Sequence, residues 1–319
     1  MLDKTLALYK HEVHVIADSQ YSSSFIGVQV HELKMFKSRR NPLLLYKLLK
    51  LIKGISPNII HAHANKAVGM VASLKPLLPS NSKLVATIHS VKKRVSPYSK
   101  FDSVIGVSAK VLEGLDNQEK HIIYNGVRET QERIKTRDYL LKQLGIPSDQ
   151  KIFVSIGRLV PVKRFDILIK AFQSIENAHL ILVGEGRERQ KLEDLAKKLS
   201  LNNIHFLGHR TDNIEILSSA DLCVISSERE GFSYVMAESL LSHTPVISTD
   251  VADMKLILPR DSVSSINEPA SLQEVIIRAL KDFESFNNSY EPVYEWASDN
   301  LGFDTMVEKN EAVYSNLIS

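Results

Sequence analysis

Short apolar segments alternate with longer segments of helical periodicity along the whole chain, and this alternation most constrains the fold. The short segments are rich in β-branched residues and nearly free of charge. Near-continuous apolar strands separated by helices are typical of parallel sheets that helices cover on both faces. The sequence therefore predicts an α/β protein with doubly wound parallel sheets. The predicted strands are 13–17, 58–62, 84–88, 103–107, 122–124, 152–156, 179–183, 204–207, 222–225 and 245–248.

The chain of 319 residues is long enough for two domains with separate cores. A turn dipeptide, Asn125-Gly126, ends the last predicted strand of the first half, and a charged helical segment follows it as far as Gly145. We therefore predict a Rossmann-like first domain over residues 1–145 and a Rossmann-like second domain over 146–302. The last predicted helix, 303–319, is expected to pack back onto the first domain.

The two halves of the chain carry opposite charge. Residues 1–128 contain 19 Lys and Arg against 8 Asp and Glu, whereas the remainder contains 21 against 29. A basic half predicts an anionic partner, either a membrane surface or a phosphorylated substrate. Nucleic acid is not predicted as a partner, because the sequence has no helix-turn-helix with a basic recognition helix, no RNA-binding strand signature and no zinc finger.

One predicted helix of the basic half combines leucines with lysines. Asn41 and Pro42 suit its N-cap and first position, and Lys47, Lys50 and Lys53 lie among its apolar residues. In one interpretation the helix packs on its sheet and its lysines reach water, which is the more common arrangement. In the other, which further basic residues just upstream favour, this surface contacts anionic lipid.

Several classes of function lack their sequence signatures. The single cysteine, Cys223, excludes an internal disulfide and a cysteine zinc cluster, and it indicates a reducing compartment. His61-Ala62-His63 has no third ligand at suitable spacing, so no metal site is predicted. Gly184-Glu185-Gly186 lacks the third glycine of a dinucleotide fingerprint, and no Walker sequence occurs. With no membrane-spanning stretch or secretory signal, the expected location is the cytoplasm, with peripheral contact at the inner face of the membrane.

A set of short motifs occurs in one order along both halves. In the second half these are Gly157-Arg158-Leu159 with Lys163, then 182–186, 206–208, and 227–233 leading into a helix with Glu238. This order resembles the donor domain of retaining glycosyltransferases with the GT-B fold, specifically family 4. The first half is similar to the acceptor domain of the same family at 59–63, 87–89, 106–108 and 123–127. The resemblance covers nearly the whole chain.

The resemblance implies a GT-B architecture, in which two Rossmann-like domains face a cleft. It also implies a retaining glycosyltransferase that moves a sugar from a nucleotide-diphosphate sugar to a glycan or lipid-linked acceptor in cell-surface polysaccharide or lipopolysaccharide synthesis. The nucleotide sugar is then a substrate, and neither a metal nor another cofactor is expected. Two alternatives stay open: a catalytically silent protein that binds a sugar nucleotide or a partner, and a sugar-nucleotide epimerase.

Arg158 and Lys163 are the candidate ligands of the donor diphosphate. Cleavage of a glycosyl–phosphate bond leaves a diphosphate with growing negative charge, which fixed donors must stabilise where no metal does so. Arginine can bind two phosphate oxygens at once, and lysine offers a compact charge on a flexible stem. Both residues are predicted at the carboxyl end of a parallel strand beside a helix start, where open α/β sheets bind phosphates. By resemblance, backbone N–H groups of Gly231, Phe232 and Ser233 face the same diphosphate.

Glu230, Glu238 and His89 complete the candidate site. An interval of eight residues spans roughly 12 Å if most of it is helical, so the two carboxylates could hold opposite ends of a donor. By resemblance, Glu230 lies near the transferred sugar and Glu238 accepts hydrogen bonds from the ribose hydroxyls. His89 follows a predicted strand, and the resemblance gives it a hydrogen bond to the transferred sugar. Retention then follows from attack on the front face, with the departing phosphate helping to remove the acceptor proton.

Three departures from the family pattern stand out. His243 takes the place of a helix-ending glycine and is predicted to adopt a left-handed conformation. Residues 252–255 replace a glycine pair and a glutamate near the donor, which affects sugar specificity. The usual first strand and its glycine-rich loop are expected to be missing, either because Met1 is an internal start or because this is a shortened variant. Loss of that strand predicts an exposed sheet edge and reduced activity or stability.

Overall fold

The structure is a computed structural model that describes residues 11–25, 27–35, 37–91, 95–115, 119–128 and 137–319. The chain divides into two compact units, Met1–Gly126 with Asp304–Ser319, and Val127–Phe303. Each unit combines parallel strands with helices, as predicted for an α/β chain. Among the described residues, no helix has both the length and the apolar character needed to cross a membrane.

The first unit contains two parallel sheets. One pairs β1 with β2, and the other has the order β3-β4-β5-β6. Its strands are β1 (His14–Ala17), β2 (Gln29–Glu32), β3 (Ile59–His63), β4 (Lys83–Ile88), β5 (Ser103–Gly106) and β6 (Glu119–Ile122). Its α-helices among the described residues are α1 (Pro42–Ile55), α2 (Ala64–Leu74) and the C-terminal α12 (Phe303–Ile318), of which Asp304 onward belongs to this unit.

Helix α1 begins and ends as its sequence predicts. The Asn41 side chain accepts a hydrogen bond from the backbone N–H of Leu44 at 3.0 Å, and Pro42 takes the first helical position. Leu44, Leu48 and Ile52 are spaced four residues apart and are buried, so one stripe of the helix faces the core. The lysines of this helix lie on its exposed side.

The second unit has one six-stranded parallel sheet with the order β12-β11-β10-β7-β8-β9. Because all six strands run in one direction, their carboxyl ends share one edge. The strands are β7 (Lys151–Ile156), β8 (Ala178–Val183), β9 (Ile204–Gly208), β10 (Leu222–Ile225), β11 (Val246–Thr249) and β12 (Val263–Ser264). The helices are α3 (Asp138–Leu144), α4 (Phe165–Ala171), α5 (Arg189–Lys198), α6 (Asn213–Ser219), α7 (Tyr234–Leu241), α8 (Met254–Ile257), α9 (Pro269–Lys281), α10 (Phe283–Asn288) and α11 (Glu291–Leu301).

The boundary between the units lies earlier than residue 145. Helix α3 groups with the second unit, where it packs against α6, and Arg137 just before it donates to Asp221 at 3.0 Å. These contacts hold α3 to the second sheet. Residues 129–136, the first part of the charged helix predicted up to residue 144, lie outside the described residues. Residues 1–10, to which the prediction of a missing first strand refers, also lie outside them.

Most strand predictions agree with the structure within one or two residues, and the exceptions have a common cause. The strand predicted at 122–124 is observed as β6 at Glu119–Ile122, and β2 and β12 are additional strands. β6 and β2 have polar, exposed positions, and β12 is only two residues long. None of the three is a continuous apolar run, so hydrophobic pattern alone does not reveal them.

Candidate active site

Two loops at the carboxyl edge of the second sheet carry an ion pair between predicted site residues. After β7 the chain forms a short turn, Pro161–Lys163, and enters α4. Lys163 Nζ donates to Oε1 of Glu230 at 2.6 Å, and Ser227 Oγ donates to the same oxygen at 2.7 Å. The side chains of Lys163 and Glu230 are only 24% and 13% exposed, so water screens the pair weakly.

Backbone contacts hold these two loops together. The N–H of Glu228 donates to the carbonyl of Val162 at 2.9 Å, and Ser226 Oγ donates to the carbonyl of Lys163 at 2.8 Å. The loop after β10 is thus attached to the turn after β7 independently of the ion pair. The sequence alone assigns no role to Ser226 or Ser227. The partner of Ser226 is more than sixty residues away in sequence, and the contact of Ser227 with Glu230 depends on how the loop folds.

Gly184 and Gly186 act as spacers beneath the loop that carries Arg158. Gly184 has φ +137°, and a Cβ atom there would lie 1.9 Å from the carbonyl oxygen of Gly157. A Cβ atom on Gly186 would lie 2.3 Å from the carbonyl oxygen of Leu159. The N–H of Leu159 also donates to the carbonyl of Glu185 at 2.9 Å. Only glycine lets the two stretches of backbone come this close. This steric requirement explains the two glycines of Gly184-Glu185-Gly186, a motif that does not complete a dinucleotide fingerprint.

Arg158 lies exposed on the same loop as these contacts. Among the described parts of the chain it forms no salt bridge, in contrast to Lys163. The structure therefore brings Lys163 and Glu230 together and leaves the guanidinium of Arg158 at the surface of the loop.

Ser233 is the N-cap of helix α7, and its side chain accepts a hydrogen bond from the N–H of Met236 at 3.2 Å. The predicted diphosphate-binding segment, Gly231 to Ser233, thus lies just before a helix start. Glu238 is on this helix, and burial raises the pKa of its carboxyl group. Because α7 starts only at Tyr234, the assumption of helix over most of the interval from Glu230 does not hold, and the 12 Å estimate does not apply.

His89, the remaining predicted site residue, belongs to the first unit. It follows β4 and is exposed. Its Nε2 atom lies 3.3 Å from Nδ1 of His63, at the end of the neighbouring strand β3. Parallel pairing of β3 with β4 places these two strand ends side by side.

Family models match both halves of the chain. The model for glycosyl transferases group 1 matches residues 136–295, half of the chain, and the model for glycosyltransferase family 4 matches residues 2–131. The chain belongs to the glycosyl transferases group 1 family. It is therefore an enzyme of the glycosyltransferase class, as the motif order predicts.

Two distant relatives of this glycosyltransferase each span most of its length. It is 24% identical to N-acetyl-alpha-D-glucosaminyl L-malate synthase of Bacillus anthracis, with 99% of this chain and 92% of the relative covered. It is also 24% identical to the O-antigen biosynthesis glycosyltransferase WclY of Escherichia coli, over 82% and 79%. The crystal structure of Anabaena HepE in complex with UDP superposes with a TM-score of 0.82 at 20% identity, over 99% and 94%. The predicted GT-B fold is confirmed.

Two positions where this glycosyltransferase departs from the family pattern have left-handed backbone. His243 has φ +53°, as predicted, and its ring lies 4.8 Å from the ring of Tyr294. Ala252, where the resemblance expects a glycine, has φ +48°. Both residues keep a conformation that costs a non-glycine residue about 1 kcal/mol or more.

Among the described residues, no three or more His, Cys, Asp or Glu side chains cluster in a way that could hold a metal ion. Both ring nitrogens of His61 are hydrogen bonded, Nδ1 to the hydroxyl of Tyr314 and Nε2 to that of Thr87 at 2.6 Å. Burial first, and the neighbouring histidines second, lower the pKa of His61 well below its usual value. The first histidine of the His61-Ala62-His63 motif is thus engaged by hydroxyl groups.

Proposed function

We propose that this glycosyltransferase moves a sugar, with retention of anomeric configuration, from a nucleoside-diphosphate sugar to a glycan or lipid-linked acceptor. The observation that carries the proposal is the ion pair of Lys163 with Glu230. It places a cation suited to a phosphate next to a carboxylate suited to sugar hydroxyls, at the edge of a parallel sheet where phosphates bind. The complex of HepE with UDP supports a donor of this class.

In this proposal, Lys163 and Arg158 bind the diphosphate. Lys163 is positioned by the turn after β7, and the exposed Arg158 reaches the ligand from the loop supported by the glycine spacers. The backbone N–H groups of Gly231, Phe232 and Ser233 add donors at the start of α7. These fixed donors stabilise the departing diphosphate, so the proposed reaction requires neither a metal nor another cofactor.

Glu230 and Glu238 bind the two ends of the donor. Both observed contacts of Glu230 fall on Oε1, and a carboxylate can accept further hydrogen bonds on its second oxygen, here from hydroxyls of the sugar. Glu238 accepts hydrogen bonds from the ribose. Burial raises the pKa of Glu238, so hydroxyl donors that replace lost water would favour its ionised form.

Retention follows from attack on the face that the diphosphate leaves. The bond from the anomeric carbon to the phosphate oxygen breaks, the bond from that carbon to the acceptor oxygen forms, and the acceptor proton passes to the departing phosphate. His89 hydrogen-bonds the transferred sugar and helps to orient it. The acceptor class is supported by relatives whose names place them in surface-glycan synthesis, such as WclY.

A membrane surface is the proposed second partner, with the first unit at the inner face of the membrane. Helix α1 exposes Leu43 and Tyr46, at 53% and 63%, beside Lys47, Lys50 and Lys53. Exposed apolar residues flanked by lysines suit an anionic lipid surface, where lipid-linked acceptors are found.

The test is incubation of the protein with a panel of nucleotide sugars and candidate acceptors. A glycoside product with the donor's anomeric configuration, read from the anomeric coupling constant, supports the proposal. An inverted product overturns retention, binding without turnover indicates a silent binding protein, and an altered free sugar indicates an epimerase. Lys163→Met and Glu238→Gln should abolish donor use, whereas Lys191→Met, on the exposed side of α5, should not. Unchanged turnover in both site variants would overturn the residue assignment.

A further inference from the structure

A cavity of about 690 Å³ opens between helix α1 and the strands β1 and β2. Small-molecule sites usually have volumes of roughly 300–1,000 Å³ and combine an apolar lining with a few convergent polar groups. The described residues that line this cavity lie between positions 12 and 55 and belong to the first unit. The cavity therefore shares no residue with the proposed donor site of the second unit.

One face of α1 forms a basic wall of the cavity. Lys47 and Lys50 line it, and their spacing of three residues puts both side chains on the same side of the helix. Both side chains are exposed, and within the described residues neither lysine has an ion-pair partner. Two neighbouring ammonium groups of this kind can bind one phosphate together.

The opposite wall, from the strands, carries hydrogen-bond acceptors. Nε2 of His14 donates to Oε1 of Glu12 at 3.0 Å, because an ionised carboxylate only accepts. In a neutral ring, Nδ1 of His14 is then an acceptor, and it lies 2.9 Å from Nε2 of His31. Nε2 of His31 must therefore donate, which leaves Nδ1 of a neutral His31 as an acceptor. The carboxylate of Glu32, which is exposed, adds further acceptors to this wall.

Apolar side chains lie between the two polar walls. Leu33, Leu51 and Ile55 line the cavity and offer a surface to the carbon–hydrogen face of a sugar ring. Gly54 borders open space, since a Cβ atom there would have nothing within 4 Å.

We propose that this cavity binds a phosphorylated sugar, with the phosphate at Lys47 and Lys50 and the sugar hydroxyls on the strand wall. A phosphate alone would meet the negative charge of Glu12 and Glu32 without donating to them. An uncharged sugar would leave both lysines unused. The chemistry recognised is a phosphate joined to a polyhydroxylated ring, either as a free sugar phosphate or as the headgroup of a lipid. This site is additional to the proposed donor site and does not depend on it.

Isothermal titration with glucose 6-phosphate tests the site, with glucose, inorganic phosphate and phosphoethanolamine as comparison ligands. Glucose 6-phosphate should bind about tenfold more tightly than each of the other three, because only it combines the anion with several hydroxyl donors. Phosphoethanolamine carries an ammonium group instead of hydroxyls. Tighter binding of phosphoethanolamine than of glucose 6-phosphate would overturn the assignment to a sugar.

Three variants of α1 locate the binding. Gly54→Leu fills the cavity without changing the charge, and leucine favours a helix more than glycine does, so the protein should stay folded. Lys50→Met removes one of the two cations. Both should weaken binding of glucose 6-phosphate about tenfold. Lys53→Met is the matched control, because Lys53 is exposed on the same helix but does not line the cavity. It should bind glucose 6-phosphate like the wild type.

Vesicles separate the two sources of the ligand. Phosphatidylcholine vesicles that contain phosphatidylinositol present a phosphorylated polyol, whereas those with an equal share of phosphatidylglycerol present the same charge without the ring. A preference of the wild type for phosphatidylinositol that Gly54→Leu lacks supports the site with a lipid headgroup as its ligand. Equal binding to both vesicles, together with tight binding of glucose 6-phosphate, supports the site with a free sugar phosphate as its ligand.

Lys163→Met distinguishes this cavity from the proposed donor site, where a phosphate is also expected to bind. This variant should lose donor use but bind glucose 6-phosphate like the wild type. The inference is overturned if Gly54→Leu binds glucose 6-phosphate as tightly as the wild type does, or if Lys163→Met abolishes that binding. Failure of the proposed function looks different, because turnover of nucleotide sugars would be absent while binding of glucose 6-phosphate still responds to Gly54→Leu.

Discussion

Lys163 and Glu230 neutralise each other at the edge of the second sheet, with 2.6 Å between Nζ and Oε1. A diphosphate that binds Lys163 must therefore compete with the carboxylate for the same ammonium group. The two residues belong to different loops, and their pairing joins the cation proposed to bind phosphate to the carboxylate proposed to bind the sugar.

This competition leads to a prediction for Glu230→Gln. The substitution removes the negative charge next to Lys163, so a nucleoside diphosphate without a sugar should bind several-fold more tightly, up to about tenfold, while transferase turnover falls. Isothermal titration with a nucleoside diphosphate measures the first effect, and product formation measures the second. Glu193→Gln, which removes an equivalent charge beside Arg189 on α5, is the matched control and should change neither. Weaker diphosphate binding by Glu230→Gln would contradict competition for Lys163.

The glycine spacers allow a steric prediction. Gly184→Ala should lower the free energy of unfolding by about 3 kcal/mol, because the new Cβ atom would meet the carbonyl oxygen of Gly157 at 1.9 Å. Gly145→Ala is the matched control, since Gly145 also has positive φ, +64°, but its new methyl group would have nothing within 4 Å. It should cost only about 1 kcal/mol from backbone strain. Equal losses for the two variants in urea unfolding would show that backbone strain, not close approach, accounts for the effect at Gly184.

The sequence predicts the fold better than it predicts the contacts within the site. β10 is predicted at its observed bounds because all four of its residues are buried, whereas the edge strand β6, with three exposed residues, is predicted three positions too late. The motif comparison singles out Lys163 and Glu230, but not their ion pair. The approach of His63 to His89 depends on the register between β3 and β4. Contacts of this kind join residues distant in sequence, so no spacing rule reveals them.

Asp221 is expected to hold α3 to the second sheet. Its carboxylate accepts hydrogen bonds from Arg137 at 3.0 Å, from Lys151 at 3.1 Å and from the N–H of Ile152 at 2.8 Å, and only 10% of its side chain is exposed. Asp221→Ala leaves three donors without their acceptor and should destabilise the protein by about 3 kcal/mol. Asp138→Ala breaks the exposed pair with Lys142 and should cost less than about 0.5 kcal/mol in the same urea titration. Similar costs for the two variants would show that the buried network contributes little.

The free energy of unfolding should decrease as the pH is lowered through the range in which His63 takes up a proton. The pKa of His63 is lowered to about 4 in the folded protein, against a usual value of about 6.5 in an unfolded chain. Between about pH 6.5 and pH 4, the unfolded chain therefore binds a proton at His63 that the folded chain does not bind. The free energy of unfolding should decrease by about 3 kcal/mol across this window from His63 alone, with His61 adding a loss of the same sign.

Urea unfolding at several pH values between 7 and 4 measures this loss. His63→Phe should show a shallower decrease than the wild type, because its side chain cannot titrate. His209→Phe, at an exposed position, should run parallel to the wild type. Parallel curves for the His63 variant and the wild type would contradict the assignment of this pH dependence to His63.

Helix α1 should contribute to binding of anionic vesicles through its exposed lysines. Lys47, Lys50 and Lys53 are each expected to contribute about 1 kcal/mol at such a surface, so changing all three to Gln should weaken binding more than tenfold in co-sedimentation at low salt. The matched control changes Lys191, Lys197 and Lys198 of α5, which are also exposed, and removes the same net charge from the second unit. If both triple variants lose binding equally, net charge alone drives the attraction. A selective loss in the α1 variant, with binding by the wild type weakened as salt rises, identifies the face of α1 as the contact surface.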